Sequence, residues 1–159
     1  MVDTALEETI QEVKQRFATH LERSKQRKTP ERFAILEEIY RRTDHFDAES
    51  LYIHMKTQAY RVSRATVYNT LELLVNCDLV TRHQFGSNVA RYERAHGRRQ
   101  HDHIICTKCG RVLEFCDPRV QQIKDTMAEL MDFDVDSHAL NLYGTCRGGC
   151  AEPERPGLR

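Results

Sequence analysis

"SRATVYNTLELLVNCDLVTRHQF", residues 63–85, is a helical pattern that runs directly into a strand pattern. After Ser63, a favoured N-cap residue, four apolar side chains recur at helical spacing as far as Val75. The end of the stretch, LVTRHQF, and the later run VARYERA are rich in β-formers. The tripeptide GSN at 86–88 joins them, which predicts a hairpin. A hairpin directly after a short helix indicates the wing of a winged helix-turn-helix.

The residues before this stretch predict three more helices. Apolar residues recur at steps of three and four from Leu6 to Leu21, the stripe of an amphipathic helix. Pro30 suits the first turn of a second helix, where its missing N–H costs nothing. Asp47 is placed to cap a third helix. Three short helices in succession, with the helix after Ser63 as the last, suit a helix-turn-helix.

The segment AHGRR, residues 95–99, predicts a hinge between two domains. We assign residues 1–94 to a winged-helix domain with an N-terminal helix. Residues 100–150 are assigned to a small α/β domain in which strands surround one helix, from Pro118 to about Met131. The tail, residues 151–159, has two prolines and alternating charges and is predicted to be disordered. The predicted fold class is α+β.

Overall charge is uninformative about partners, because the 159 residues carry 24 basic and 24 acidic side chains. The exception is RSKQRKTPER, residues 23–32, with five basic residues against one acidic. This stretch is suited to contact phosphate, although a solvated helix end has the same composition.

The longest uncharged apolar run is far shorter than the roughly 20 residues of a membrane span, and no signal peptide follows Met1. We therefore expect a cytoplasmic protein.

Two cysteine pairs predict a structural zinc site. Cys106 and Cys109 form a CxxC motif that Gly110 follows, and Cys146 and Cys150 offer a second pair. Zinc favours tetrahedral thiolate coordination, and thiols remain reduced in a chain that is not exported. A redox CxxC is the alternative, but this motif lies between two predicted strands instead of at a helix start that would lower a thiol pKa. The longer spacer of the second pair makes Cys150 the least regular ligand.

The motif HDH at 101–103 indicates a second metal site. In a strand, His101 and His103 lie on one face and Asp102 on the other. Histidine together with carboxylate suits Fe(II), Mn(II) or Zn(II), and Glu93 and Glu114 are the nearest candidate acids. Two surface histidines satisfied by water are the alternative interpretation.

Two features are left without an assigned role in metal binding or catalysis. Cys77, at the end of an apolar helix, and Cys116, after a predicted strand, are not assigned as ligands.

A zinc hydrolase would also use histidine and glutamate around an open metal position. However, the sequence has no nucleophile elbow, phosphate loop or HExxH motif, and such an enzyme has no use for a helix-turn-helix.

With these residues established, the chain resembles the ferric uptake regulator (Fur) superfamily of metal-dependent bacterial repressors over roughly residues 20–150. The resemblance lies in the order and spacing of KTPER, DHFDAESLY, SRATVYNTLELL, LVTRHQF, HDHIICTKCGRVLEF, HALNLYG and the final cysteine pair. It implies an N-terminal winged helix joined to a C-terminal α/β dimerisation domain. It also implies a homodimeric, metal-responsive, DNA-binding transcriptional repressor that is not an enzyme.

The resemblance implies a regulatory metal between the two domains. Its ligands map onto His45, Glu93, His101, His103 and Glu114. Donors from both domains can be satisfied together at only one interdomain angle, so metal binding would favour the DNA-competent dimer. The structural zinc of the family maps onto the two cysteine pairs described above.

A third family site, within the dimerisation domain, maps onto Gln100, Asp102, Gln121 and His138. Here the chain departs from the family pattern, because Gln100 and Gln121 replace a histidine and a glutamate. Two neutral amides are weak metal ligands, so we expect the site to be weak or absent. Asp102 and His138 are then expected to hydrogen-bond to each other.

Polar residues of the predicted recognition helix lie away from its apolar stripe and toward a major groove. They are Ser63, Arg64, Thr66, Tyr68 and Asn69. Arg64 and Asn69 are suited to hydrogen-bond base edges, and Thr66 and Tyr68 to contact thymine methyls or phosphate. A solvated polar face is the alternative for each of them.

Ahead of the second helix, Arg27 and Lys28 are placed to reach phosphate or a narrow A·T-rich minor groove, as the family's basic lead-in does. A twofold dimer implies a palindromic, A·T-rich operator. The glutamate at Glu114 is similar to the iron sensors of the family, whereas the asparagine at Asn69 is similar to its peroxide sensors. Zinc-uptake regulators tend to use a cysteine ligand, which this site lacks. The resemblance therefore ranks Fe(II) control of iron-uptake genes first, a peroxide- or manganese-responsive regulator second and a zinc-responsive one third.

Overall fold

A computed structural model describes residues 4–86 and 89–150, which form two compact units. The first unit ends at Arg98 and the second begins at Arg99. The predicted disordered tail, residues 151–159, lies outside the described residues, as do the two central residues of the predicted hairpin turn, Ser87 and Asn88.

The N-terminal unit consists of four helices followed by a two-stranded antiparallel sheet. Its elements are α1 (Thr4–Arg23), α2 (Pro30–Arg41), α3 (Ala48–Thr57), α4 (Arg64–Asn76), β1 (Val80–His83) and β2 (Arg91–Arg94). Pro30 lies in the first turn of α2, and Asp47 and Ser50 cap α3 reciprocally. The Ser63 hydroxyl accepts a hydrogen bond from the Thr66 amide at the start of α4. The predicted helix starts are therefore confirmed.

The core of this unit lies between the four helices. Its fully buried side chains include Ile10, Val13, Phe17, Leu21, Ile35, Leu36, Ile39, Tyr40, Leu51, Met55, Val67, Leu71 and Leu74. The regular apolar spacing along α1 buries one residue per turn and leaves its polar face in solvent. The Tyr40 hydroxyl donates to the Leu79 carbonyl at 2.8 Å and so links α2 to the start of the wing. Burial raises the pKa of Tyr40 to about 12.

The C-terminal unit is a three-stranded sheet with one helix. Its elements are β3 (Asp102–Cys106), β4 (Val112–Phe115), α5 (Pro118–Met131) and β5 (Asn141–Gly144), with strand order β4-β3-β5. The β3–β4 pair is antiparallel, and β5 joins β3 in parallel after the chain passes through α5. The α5 bounds agree with the predicted helix. Every α5 residue is at least partly exposed.

The architecture is α+β, with an N-terminal winged helix-turn-helix followed by a small α/β domain, as predicted. Among the described residues, no helix is both long enough and apolar enough to span a bilayer.

Candidate metal centres and nucleic-acid interface

Four cysteine side chains converge within the C-terminal unit. Cys106 ends β3, and Cys109 lies in the tight turn that follows it. Pairing of β3 with β5 brings the residues after Gly144 alongside this turn, and the Thr107 amide donates to the Gly144 carbonyl at 2.8 Å. This pairing brings Cys146 and Cys150, which follow β5, next to the CxxC motif at the end of β3.

The sulfur positions fit a tetrahedral zinc ion. Sγ of Cys106 lies 3.7 Å from Sγ of Cys150, and Sγ of Cys109 lies 3.8 Å from Sγ of Cys146. All four sulfurs lie within 4.8 Å of one another. A Zn–S bond of about 2.3 Å corresponds to a tetrahedral S···S edge of about 3.8 Å. Cys150, despite the longer spacer, lies within the same 4.8 Å limit as the other three cysteines.

The electrostatics of the cluster favour a cation at its centre. The backbone amides of Cys109 and Lys108 lower the pKa of Cys106 to about 6. Hydrogen bonds with the sulfurs of Cys106 and Cys109 raise the pKa of Cys146 to about 12. Without a cation, the first thiolate to form therefore opposes ionisation of its neighbours.

Within the N-terminal unit, a buried carboxylate lies at the centre of a cluster of nitrogen donors. Glu93 Oε1 lies 2.6 Å from Nε2 of His83, and Glu93 Oε2 accepts a hydrogen bond from Nη1 of Arg98 at 2.6 Å. His45 Nε2 is 3.6 Å from Oε2. The Glu93 side chain is only 5% exposed. Two of these residues, His45 and Glu93, are predicted regulatory ligands, whereas His83 and Arg98 were missed.

Backbone pairing explains why these residues meet. Phe46 and Tyr92 form an isolated antiparallel bridge, with N···O distances of 3.0 and 2.7 Å, which holds the loop residue His45 beside β2. In the wing, Thr81 pairs with Glu93, so His83, two residues along β1, shares the Glu93 face. This alternation in the predicted hairpin was a sequence signal for His83. Arg98, in the segment predicted to be a hinge, had no such signal.

Within the C-terminal unit, the remaining three regulatory candidates lie close together. The His101 and His103 rings have centroids 4.9 Å apart, and Nε2 of His101 lies 3.9 Å from Oε1 of Glu114. His103 pairs with Glu114 across β3 and β4. His101 Nδ1 lies 2.9 Å from the Arg99 carbonyl. Because a carbonyl only accepts hydrogen bonds, this contact favours the tautomer with the proton on Nδ1, in which Nε2 is the nitrogen that can bind a metal.

The residues of the predicted third site have other partners. Asp102 accepts a hydrogen bond from the Leu140 amide at 2.9 Å, and its second oxygen lies 3.4 Å from His138 Nε2. The Gln100 amide donates to the His138 carbonyl at 2.8 Å, and Gln121 donates to Asp125 along α5. Among the described residues, three or more His, Cys, Asp or Glu donors do not converge at this position.

The start of α4 and the segment before α2 border a concave surface that encloses a volume of about 620 Å³. It is lined by Lys25, Gln26, Arg27, Thr29, Glu31, Arg32, Arg61, Ser63, Thr66 and Asn69. Four of these residues are basic and one is acidic, so the surface attracts anions. Of the predicted DNA contacts, Arg27, Ser63, Thr66 and Asn69 meet here. Arg61 was missed, although it precedes the cap of α4 by only two residues.

The other predicted DNA contacts lie in different surroundings. Arg64 forms a forked ion pair with Glu49, with N···O distances of 2.7 to 3.1 Å, and its guanidinium lies 4.7 Å from the centre of the Tyr52 ring. Lys28 pairs with Glu22. Tyr68 is about half exposed on α4. The Arg64 guanidinium is therefore held against α3 through its Nε and Nη2 atoms.

Comparison with known proteins gives a consistent result. The model of the ferric uptake regulator family matches residues 23–143. The ferric uptake regulation protein of Campylobacter jejuni is 36% identical over 138 residues, 86% of this chain and 87% of that protein. The peroxide-responsive repressor PerR of Staphylococcus epidermidis is 29% identical, covering 92% of this chain and 91% of that one.

The fold also matches solved structures. The Vibrio cholerae ferric uptake regulator superposes with a TM-score of 0.68 at 31% identity, covering 79% of this chain and 96% of that chain. The Helicobacter pylori ferric uptake regulator gives a TM-score of 0.78 at 22% identity, covering 87% and 92%.

Proposed function

This chain belongs to the ferric uptake regulator family, and we propose that it is a metal-responsive repressor that binds operator DNA when Fe(II) occupies its regulatory site. Members of the family are transcriptional regulators, so the chain is not an enzyme and the zinc hydrolase alternative is wrong. The observation that supports a divalent metal such as Fe(II) is the buried Glu93 carboxylate with histidine nitrogens beside it, because iron is bound by nitrogen and oxygen ligands.

A structural zinc ion is proposed at Cys106, Cys109, Cys146 and Cys150. The two S···S distances of 3.7 and 3.8 Å support a tetrahedral thiolate site. When bound, zinc supplies a closed crosslink between the β3 turn and the chain after β5. Among residues 99–150 of this unit, the buried apolar side chains are those of Ile105 and Cys106. This small core makes the crosslink a main source of its stability.

The regulatory metal is proposed to be held by His45 and Glu93 from the N-terminal unit and by His101, His103 and Glu114 from the C-terminal unit. A divalent cation supplies the positive charge that these donors share. Within their own units, the Nδ1 contact with the Arg99 carbonyl orients the His101 ring, and the burial of Glu93 favours a positive charge beside its carboxylate. Ligands from two domains restrict the interdomain angle, so occupancy shifts the population toward the DNA-binding form.

We assign residues 1–94 to the DNA-binding domain, 95–99 to the hinge and 100–150 to dimerisation and metal binding. The apolar surface of the second unit supports dimerisation. Ile104 pairs with Leu113 on one side and Leu142 on the other, and this row across the sheet is exposed. The α5 residues Ile123 and Leu130 are more than 60% exposed. A second copy of the chain would cover this surface and provide the core that one copy lacks.

DNA binding is assigned to the surface around the start of α4. Arg64 and Asn69 would hydrogen-bond base edges in the major groove, and Thr66 and Tyr68 would contact thymine methyls or phosphate, with Ser63 beside them. Arg27 and Lys28 would contact phosphate or the minor groove. The basic character of the concave surface supports this assignment. A dimer with two such surfaces would bind a palindromic, A·T-rich operator, and its DNA target would make it a cytoplasmic protein.

A peroxide- or manganese-responsive repressor is the second candidate. Asn69 lines the concave surface, and the chain is 29% identical to a peroxide-responsive repressor over nearly its whole length. A zinc-responsive regulator ranks third, because the proposed site has only nitrogen and oxygen ligands.

The deciding experiment measures operator affinity with Fe(II), Mn(II) and Zn(II) titrated separately under anaerobic conditions, before and after a peroxide pulse. The operator is first selected from a randomised duplex library with the Mn(II)-loaded dimer. An iron sensor binds with Fe(II) and Mn(II) and keeps its affinity for fresh Fe(II) after peroxide. Permanent loss of the Fe(II) response after peroxide would identify the second candidate. Operator binding that is independent of metal would overturn the proposal.

A further inference from the structure

Two contacts of Glu93 have no part in the proposed ligand set. Oε1 lies 2.6 Å from Nε2 of His83, and Oε2 accepts a hydrogen bond from Nη1 of Arg98 at the same distance. Both partners belong to the N-terminal unit. The guanidinium of Arg98 is always charged, so Oε2 already has a cationic partner within the N-terminal unit.

The oxygen held by Arg98 is also the one that faces His45. Nε2 of His45 lies 3.6 Å from Oε2. Metal–ligand bonds of about 2.1 Å place adjacent donors about 3.0 to 3.4 Å apart, so a cation between His45 and Glu93 requires little movement of these two atoms. A cation bound at Oε2 would lie beside the Arg98 guanidinium, and the two positive charges would repel each other. His83 lies at the other oxygen and does not block Oε2.

We propose that Arg98 is a tethered competitor for the regulatory metal, an inference that rests on the proposed function of Glu93 as a ligand. In the metal-free protein its guanidinium neutralises the Glu93 carboxylate. A divalent cation binds when Arg98 leaves Oε2. His83 is a positioning residue that keeps the carboxylate oriented through Oε1 in both states.

Competition follows from the burial of Glu93. The Glu93 side chain is 5% exposed and that of Arg98 is 17% exposed. A buried carboxylate without a countercharge is strongly unfavourable, so Arg98 stabilises the metal-free state. Whatever stabilises only the metal-free state weakens the apparent metal affinity by the same free energy. Arg98 therefore raises the metal concentration at which the repressor responds.

The test uses the full-length, zinc-loaded protein and titrates Mn(II) against a chromophoric chelator. Replacing the guanidinium by an amide in Arg98→Gln is expected to tighten Mn(II) binding about tenfold. The same substitution is expected to lower the unfolding temperature of the protein before Mn(II) is added, because Glu93 loses its countercharge. A purely structural role for Arg98 would lower both the unfolding temperature and the Mn(II) affinity.

Two variants serve as controls for charge and folding. Arg82→Gln breaks the exposed Arg82–Glu72 pair in the same unit and is expected to leave the Mn(II) affinity within twofold of wild type. Arg98→Lys keeps the positive charge and is expected to bind Mn(II) with an affinity between those of wild type and Arg98→Gln. If Arg98→Gln fails to fold, wild-type affinity in Arg98→Lys overturns the proposal and tighter binding supports it.

The opposite sign is expected for His83→Gln, which should weaken Mn(II) binding because the carboxylate loses its orienting contact. Equal or weaker Mn(II) binding by Arg98→Gln overturns the competitor proposal. Glu93→Gln separates this failure from a failure of the proposed function. If Glu93→Gln removes Mn(II) binding while Arg98→Gln leaves it unchanged, the site stands and the competitor is wrong. If Glu93→Gln has no effect, the ligand assignment itself is wrong.

Discussion

At the scale of single residues, the buried hydroxyl of Tyr40 has two hydrogen-bond partners. Tyr40 is fully buried in α2, yet its hydroxyl donates to the Leu79 carbonyl and accepts from the His96 amide at 3.3 Å. A buried hydroxyl without such partners is destabilising, so these contacts explain why tyrosine is tolerated in an otherwise apolar core. They also tie α2 to both ends of the wing.

Removing this hydroxyl in Tyr40→Phe is expected to lower the free energy of unfolding by about 1 to 2 kcal/mol, because the His96 amide and one lone pair of the Leu79 carbonyl lose their partner. Urea denaturation followed by circular dichroism measures the change. The matched control is Tyr68→Phe on the exposed face of α4, which should stay within about 0.5 kcal/mol of wild type. Equal effects in the two variants would contradict the assigned role.

The four thiols of the C-terminal unit lead to a second prediction at this scale. Cys109→Ser leaves three sulfur ligands, so bound zinc is expected to fall from about one ion per chain to nearly none, and the unit should lose its fold. Zinc is quantified by release to a chromophoric chelator. Cys116→Ser is the control, because Cys116 lies outside the four-sulfur cluster. Full zinc content in Cys109→Ser would exclude it as a ligand.

At the scale of elements, the start of α4 combines a structural cap with the proposed DNA surface. Ser63 accepts from the Thr66 amide at 3.1 Å and lines the basic concave surface. The same helix N-terminus that needs an acceptor is therefore presented toward the proposed phosphate backbone. Stability and DNA binding can be separated here by changing the charge of the cap.

Ser63→Ala is expected to lower the free energy of unfolding by about 1 kcal/mol, because the Thr66 amide loses its acceptor. Ser63→Asp should restore stability but weaken DNA binding through repulsion between the carboxylate and phosphate. Urea denaturation and fluorescence anisotropy with labelled duplex give the two values. Undiminished DNA affinity in Ser63→Asp would remove Ser63 from the interface.

Helix α5 exposes large apolar side chains, which a second copy of the chain would bury in the proposed dimer. Leu130→Glu introduces a charge into its apolar face and is expected to raise the dimer dissociation constant at least about tenfold. Sedimentation equilibrium at micromolar concentration measures this constant. Glu129→Gln, one position earlier and on an exposed polar site, should leave it unchanged. An unaltered dimer in Leu130→Glu would mean that α5 lies outside the interface.

At the scale of the whole molecule, two metal sites have different proposed tasks. The cysteine cluster lies within one unit, so its zinc would contribute to folding. The histidine and carboxylate donors are divided between the N-terminal and the C-terminal unit, so their metal would contribute to regulation. Loss of the regulatory metal should therefore leave the zinc content intact, whereas loss of the zinc should also remove the regulatory ligands that lie in the same unit.

Replacing both histidines in His45→Ala with His103→Ala is expected to abolish the metal response of operator affinity while leaving zinc content and dimerisation unchanged. The reason is that one donor is lost from each domain, whereas all four thiols remain. Fluorescence anisotropy with the selected operator, with and without Mn(II), measures the response. His20→Ala in α1 is the control. A retained response would contradict the proposed mechanism.

The sequence alone determined the local features of this protein. Helix starts at Pro30, Asp47 and Ser63, the α5 helix and the family resemblance are confirmed, because periodicity, caps and motif spacing act within a few residues. The paired cysteines likewise indicated tetrahedral thiolate chemistry before any distance was known.

Only the tertiary structure decided which side chains share a partner. The Phe46–Tyr92 bridge and the β1–β2 register bring His45 and His83 to Glu93. Arg98 reaches the same carboxylate from the hinge. Hydrogen bonds and ion pairs require donor and acceptor within about 3 Å, and residues distant in sequence reach that separation only when backbone pairing and burial fix their positions.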